Sequence, residues 1–253
     1  MIVMQYNISE IAKMIDHSLL HPTMTDEDLE KGVKQAIEYN TASVCIKPYA
    51  VLKCAEWLKG TDVLVCTVIG FPHGSHTTEI KVAETKLACE QGCHEIDMVV
   101  NIGKVLSEDW GYVEEEIRLI NDECRKYGAI LKVIFENDYL KDSHKIKLCA
   151  ICSSIPVAFV KTSTGYGYVK GEDGKFSTKG ATIQDVSLML RYVRPGVQVK
   201  AAGGVRTLDE LMAMKELGVT RIGATATAVI IEEAKKRNGL SSTAIVNNDA
   251  SGY

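Results

Sequence analysis

The sequence predicts an α/β fold of one kind, a single (β/α)8 TIM barrel with an additional N-terminal helix, on three observations. The length of 253 residues is the usual span of one such barrel. Eight short apolar runs of strand length recur along the chain, with amphipathic stretches between them. Neither a dinucleotide glycine fingerprint nor a linker rich in Pro, Gly or Ser interrupts the alternation. This disfavours an open doubly wound sheet and makes residues 1–253 one domain.

In chain order, a first helix is expected near 8–15, capping the bottom of the barrel. The strand runs then fall near 18–21, 43–47, 63–70, 95–102, 129–136, 157–163, 197–203 and 221–226. After the third run Ile80, Ala83 and Leu87 share one helical face, and after the fourth Val113, Ile117, Ile120 and Cys124 share another. Thr207-Leu-Asp-Glu210 has the capping-box pattern that opens a helix. A last helix is expected near 227–236. Two segments break the rhythm. Gly165 to Gly180 is long and glycine-dense for a βα loop and reads equally as an active-site lid or a small surface hairpin. The polar stretch 238–253 reads as a flexible tail.

Bulk composition narrows the function. Hydrophobic residues at 46% and charged residues at 25% suit a globular protein with a full core. A net charge of −4 gives no reason to expect nucleic acid or an anionic membrane as partner. No apolar run approaches the ~20 residues of a membrane span. The opening residues lack the basic-then-apolar pattern of a signal peptide, so a cytoplasmic protein is expected. The eight cysteines lie in apolar segments without paired C-x2-C blocks, and Cys149-Ala-Ile-Cys152 reads as a packed helix face.

Chemistry enters with two lysines in strand-like runs, Lys161 in Val157-Ala-Phe-Val-Lys-Thr-Ser-Thr-Gly165 and Lys200 in Val197-Gln-Val-Lys-Ala-Ala-Gly-Gly204. Burying an ammonium is costly, and the obvious use is a free amine that attacks a carbonyl. Strand alternation puts Glu95, Asp97 and Asn101 on one parity of the fourth run, and Lys132 and Glu136 on one parity of the fifth. Four consecutive strands thus aim charge at one lumen. Lys132 with Glu95 or Glu136 reads as a core ion pair, whereas Lys161, Lys200 and Asp97 read as catalytic. Bringing a lysine from 10.4 to about 7 takes roughly 4–5 kcal/mol. A second ammonium ~5 Å away supplies about 3 kcal/mol at an effective dielectric of about 20, and desolvation adds to it. The neutral amine would form an iminium, with Asp97 as the proton-transferring carboxylate. Gly203-Gly204 and Gly223-Ala-Thr225, after the seventh and eighth runs, lie where barrels bind phosphate.

The chain resembles the deoxyribose-phosphate aldolase family, which are Schiff-base aldolases on this barrel. The matching segments are Ile15-Asp-His-Ser-Leu-Leu20, Ser43-Val-Cys-Ile46, Thr67-Val-Ile-Gly-Phe-Pro72, Glu95-Ile-Asp-Met-Val-Val-Asn-Ile-Gly103, Leu131-Lys-Val-Ile-Phe-Glu136, Phe159-Val-Lys-Thr-Ser-Thr-Gly165, Val199-Lys-Ala-Ala-Gly-Gly-Val-Arg-Thr207 and Arg221-Ile-Gly-Ala224. The resemblance implies Lys161 as the Schiff-base lysine, with Lys200 and Asp97 as the proton relay. It implies reversible cleavage of 2-deoxyribose 5-phosphate to glyceraldehyde 3-phosphate and acetaldehyde. Gly165, Gly203, Gly204, Gly223 and Thr225 are the expected substrate and phosphate contacts. Asp16 and the C-terminal Tyr253 are further candidates for proton relay. No metal and no organic cofactor is expected; the partners are a small sugar phosphate, a short aldehyde and other copies of the chain, as a homodimer or homotetramer.

The chain departs from the family at the substrate mouth. Thr225-Ala226 stands where serines are usual, Asn137-Asp138 follows Glu136 in place of a small hydroxyl residue, and His21-Pro22 replaces lysine-proline. Pro72 is followed by His73-Gly74 rather than leucine, and the 165–180 loop is longer than usual. These differences keep other readings open: a Schiff-base enzyme acting on another phosphorylated deoxy sugar or a keto acid, and a sugar-phosphate binding protein without turnover. A metal-dependent enzyme would draw on His17, His21, His73 and His76, although their spacing fits no zinc motif.

Overall fold

The computed structural model describes residues 5–171 and 173–240. Eight strands pair in parallel around a closed barrel: β1 (Ile15–Leu19), β2 (Ser43–Ile46), β3 (Leu64–Ile69), β4 (Glu95–Val99), β5 (Ile130–Ile134), β6 (Phe159–Lys161), β9 (Gln198–Ala202) and β10 (Arg221–Ala224). Between β6 and β9 the chain forms a separate antiparallel hairpin, β7 (Val169–Lys170) with β8 (Phe176–Ser177). The outer layer is α2 (Asp26–Tyr39), α3 (Val51–Trp57), α4 (Thr78–Glu90), α5 (Ile102–Leu106), α6 (Trp110–Lys126), α7 (Asp142–Ser154), α8 (Ile183–Tyr192), α9 (Leu208–Leu217) and α10 (Thr227–Arg237). A short α1 (Ile8–Ala12) precedes β1 and packs on α10. Just after it, Lys13 donates to the carbonyls of Thr41 and Asp62, at the entries to β2 and β3. Among the described residues, no helix is long and apolar enough to cross a membrane.

Strand alternation divides the interior in two. Outward residues such as Val44, Ile96, Met98, Leu131, Val133, Val160, Val199 and Ile222 join the helices in one large apolar core. A smaller cluster, Leu20, Cys45, Cys66 and Val68 with Phe71 against it, lines the β1–β3 side of the lumen. Charged side chains dominate the rest of the lumen, with the Phe159 ring among them.

Two expectations about elements need correction. The first strand is Ile15–Leu19, three residues before the apolar run at 18–21. Asp16 is buried because Lys132 and Arg221 partner it, while His17 is buried with its Nδ1 on the Thr227 hydroxyl at 2.8 Å. On α4, Ile80, Ala83 and Leu87 do share a face, but it is the solvent face. The inward face carries Lys81, Thr85, Ala88 and Cys89. Lys81 can sit there because its ammonium pairs with the buried Glu116 at 2.7 Å and donates to the Val99 carbonyl at 2.8 Å. By contrast, Val113, Ile117, Ile120 and Cys124 of α6 are buried as expected, and so are Cys149 and Cys152 on α7. The predicted capping box from Thr207 to Glu210 opens α9. Residues 241–253, with Tyr253, lie outside the described residues; of the expected tail, Asn238 caps α10 and holds the Tyr6 backbone through two hydrogen bonds.

Candidate active site

Register puts the charges at matching heights. Lys161 and Lys200 are direct partners across β6 and β9, as are Asp97 and Lys132 across β4 and β5, and Arg221 and Lys200 across β10 and β9. All of these lysines and Asp97 are buried. Asp97 Oδ2 accepts from Lys161 Nζ at 2.6 Å and from Lys200 Nζ at 2.7 Å. Its other oxygen accepts from Lys132 Nζ at 2.9 Å. Lys132 also pairs with Glu95 at 2.7 Å and Asp16 at 3.1 Å. Asp16 in turn binds the Lys200 ammonium, the Arg221 guanidinium and the Ser43 hydroxyl. Arg221 closes the network with a two-pronged pair of 3.0 Å bonds to Glu95, its guanidinium lying over the Phe159 ring.

The protonation states follow from this geometry. Burial alone would push the Asp97 acid up, but the ammonium groups of Lys132, Lys161 and Lys200 outweigh it and hold the group well below the usual carboxylate range. Asp16 is held down likewise, by Lys132, Lys200 and Arg221 against its burial. Lys200 is desolvated, yet Asp16 and Asp97 raise it above an ordinary lysine. From the sequence, Lys200 repels the Lys161 charge and joins the proton relay; the structure adds that Asp16 and Asp97 raise Lys200 itself. Two carboxylates stand among the ammonium groups. Lys200 is therefore held as an ammonium and Asp97 as a carboxylate, and the ionised pair stands in contact with the Lys161 nitrogen.

One cavity of about 370 Å³ opens over this network, a volume suited to a small metabolite. Its lining includes Lys161, Lys200, Asp16, Gly165, Gly203, Gly204, Gly223 and Thr225, so the candidates from four stretches of sequence converge. Asp97 lies beneath the cavity floor, touching both lysines. Glu136 does not join the lumen: it adopts a left-handed backbone (φ 58°) and its carboxylate turns to Thr164, accepting from that residue's amide at 3.3 Å and from its hydroxyl. Neither group of three nearby metal-ligand atoms among the described residues, Cys45/Cys66/Asp97 and Asp16/Cys66/Glu95, contains a histidine of the metal-dependent reading. His17 belongs to the packing between β1 and α10, with its imidazole pushed down to about 4 by burial.

Comparison with known proteins decides the family. Residues 10–242 match the model of the DeoC/LacD family aldolases. The chain belongs to the DeoC/LacD aldolase family. It is 49% identical to the deoxyribose-phosphate aldolase of Rhodopirellula baltica, over 98% of this chain and 99% of that protein. Identity to the deoxyribose-phosphate aldolase of Caldanaerobacter subterraneus is 45%, over 94% and 99%. Among solved structures, the tetrameric deoxyribose phosphate aldolase of Aeropyrum pernix superposes with a TM-score of 0.80 at 29% identity, covering 90% of this chain and 92% of that one. As a DeoC/LacD aldolase the chain is a lyase.

The sequence reading left one lumen group, Arg221, without a role and gave another, Lys132, too narrow a one. Arg221 was legible by parity, since it alternates with the outward Ile222. Lys132 read as a purely structural pair with Glu95, whereas it also touches Asp97 and so joins the catalytic candidates to the core.

Glu136 gives a pH-dependent expectation. Burial pushes its acid up to about 7, against hydrogen bonds from Thr164 that favour the ionised form. The folded chain therefore binds this proton more tightly than the unfolded chain, whose value is near 4.5. Stability contributed below about 4.5 falls by about 3 kcal/mol as pH rises to about 7, and is level beyond. Denaturant titrations across that range should show the decline, and Glu136→Gln should flatten it; an unchanged slope in the variant would assign the effect elsewhere.

Proposed function

We propose that this chain is a 2-deoxyribose-5-phosphate aldolase, cleaving 2-deoxy-D-ribose 5-phosphate reversibly to D-glyceraldehyde 3-phosphate and acetaldehyde. The observation that carries the reading is the shared carboxylate: one oxygen of Asp97 contacts both lysines at the floor of the cavity. The Lys161 amine attacks C1 of the open-chain sugar, and its proton passes along the Asp97 carboxylate to the new alkoxide, giving the carbinolamine. Lys200 protonates the departing carbinolamine hydroxyl, and water leaves as the iminium forms. The iminium then draws in the electrons of the C2–C3 bond, which breaks as the C3 hydroxyl loses its proton. Glyceraldehyde 3-phosphate departs and an enamine of acetaldehyde remains on Lys161. Protonation of the enamine carbon and hydrolysis return the enzyme. Asp16 acts in this scheme by fixing Lys200, and Tyr253 remains a candidate relay. Gly165, Gly203, Gly204, Gly223 and Thr225 are assigned to substrate and phosphate, the last with a hydroxyl that the neighbouring Ala226 lacks.

The eight free, buried cysteines fit a reducing, cytoplasmic setting. The tetrameric relative supports assembly as a homotetramer over a homodimer, which sedimentation velocity decides. A coupled assay for glyceraldehyde 3-phosphate tests the reaction: Asp97→Asn should lower kcat by about a hundredfold to ten-thousandfold, the worth of a positioned acid–base group. An active Asp97→Asn enzyme would remove the relay from the mechanism.

A further inference from the structure

In three dimensions the turn after β5 and the long loop after β6 form one device. The turn Glu136–Tyr139 follows β5, and the long loop 165–180 follows β6. The turn grips the loop at both legs. On the entering leg Glu136 holds Thr164, and a Cβ on Gly167 would collide with the Glu136 carboxyl carbon, so loop and turn are in close contact. Tyr139 adds a hydroxyl bond to the Tyr168 carbonyl at 3.3 Å. On the returning leg one oxygen of Asp138 accepts three hydrogen bonds: from the Thr178 hydroxyl at 2.8 Å, the Lys179 amide at 2.8 Å and the Gly180 amide at 3.2 Å. Gly180 is left-handed (φ 64°) and lies backbone to backbone with Gly203, where any side chain would strike the Gly203 carbonyl. Next to it, the Ala181 amide donates to that carbonyl at 2.9 Å. The hairpin tip, with Tyr168, Val169 and Phe176, is solvent-exposed, while its base, Thr178-Lys179-Gly180, lines the cavity beside Gly203, Gly204 and Arg206.

We propose that Asp138 clasps this hairpin base so that Lys179 becomes a phosphate-binding residue, a cation brought to the same end of the cavity as the glycine turns. The inference rests on the reading of the substrate as a phosphorylated sugar. At this end of the cavity Thr225 offers a hydroxyl and Ala226 none, so an ammonium from the neighbouring loop adds the charge that the glycine turns lack. Asp138 is then a positioning residue, and its carboxylate organises two backbone amides rather than touching substrate.

The test compares 2-deoxyribose 5-phosphate with unphosphorylated 2-deoxyribose in the full chain. Lys179→Met should raise KM for the phosphorylated sugar about tenfold with kcat nearly unchanged, and leave kcat/KM for the unphosphorylated sugar within about twofold. Raising ionic strength should weaken the phosphorylated substrate more in the parent enzyme than in this variant. Asp138→Ala should reproduce the KM effect and also speed hydrogen exchange at the Lys179 and Gly180 amides. Equal losses on both sugars, or an unchanged ratio between them in Lys179→Met, would overturn the proposal. A parent enzyme that prefers a different phosphorylated aldose would instead refute the substrate assignment, and the same comparison would then be made on that sugar and its dephosphorylated form.

Discussion

Borohydride reduction in the presence of acetaldehyde will leave a two-carbon adduct on Lys161 and on no other lysine. The expectation is sharp because several lysines are buried here but they differ in surroundings. Lys132 is held by three carboxylates and lies off the cavity lining, and Lys81 is sealed between α4 and α6 against Glu116. Lys200 lines the cavity but is bound on two sides, by Asp16 and Asp97, which raise it above an ordinary lysine. Of the buried lysines, Lys161 alone combines access to the cavity with a single carboxylate partner among the described contacts. Lys161→Ala should abolish the adduct and lower turnover by about a thousandfold or more, since the covalent route is lost as a unit. Lys200→Leu should keep the site of the adduct and slow its formation by about a hundredfold, the loss of one proton donor. Peptide mapping after reduction reads both results, and an adduct on Lys200 would reverse the roles.

The largest effect on stability should come from a residue outside the cavity. Lys132→Met removes the cation that Asp16, Glu95 and Asp97 share in the barrel interior. Charge burial is tolerated only while partners are present, and breaking a buried pair by deleting one side costs about 3–5 kcal/mol. Here three carboxylates lose a partner together, so the upper part of that range is expected. For a chain of this length the melting temperature should fall by about 10 °C or more. Adding Glu95→Gln to the variant should recover part of the loss by removing one uncompensated charge, although Arg221 then gives up its two-pronged partner. Equal stability of Lys132→Met and the parent would show that the network is not held by this lysine.

Much of this was legible from the residues alone. Strand alternation put Lys161, Lys200, Asp97, Lys132 and Glu95 toward one lumen, and the structure has all five there, because a barrel allows a side chain only two directions. Sequence paired Lys132 with Glu95, as found, but could not supply the remaining partners of each charge. Lys200 reads as a source of repulsion until Asp16 is brought across from β1, some 180 residues earlier in the chain. The same gap explains α4, where an apolar stripe pointed the helix the wrong way: nothing local announces that Lys81 will find Glu116 on α6. Glu136 fails the parity argument because β5 ends at Ile134 and the backbone turns left-handed two residues later. The coupling of Asp138 to the inserted hairpin joins residues 40 apart, and neither segment alone predicts it.

The β1–β3 side of the lumen carries hydrocarbon and thiol, with Leu20 and Cys45 reaching the cavity opposite the ionised wall. On the proposed chemistry, the carbon that becomes nucleophilic must sit between these two walls. A bare methylene loses nothing by turning its back on water there, whereas a hydroxyl on that carbon would surrender its hydration for neighbours that barely bond. On that reading, a preference for deoxy sugars over ordinary pentoses would come from the greasy part of the chamber, through what that part withholds.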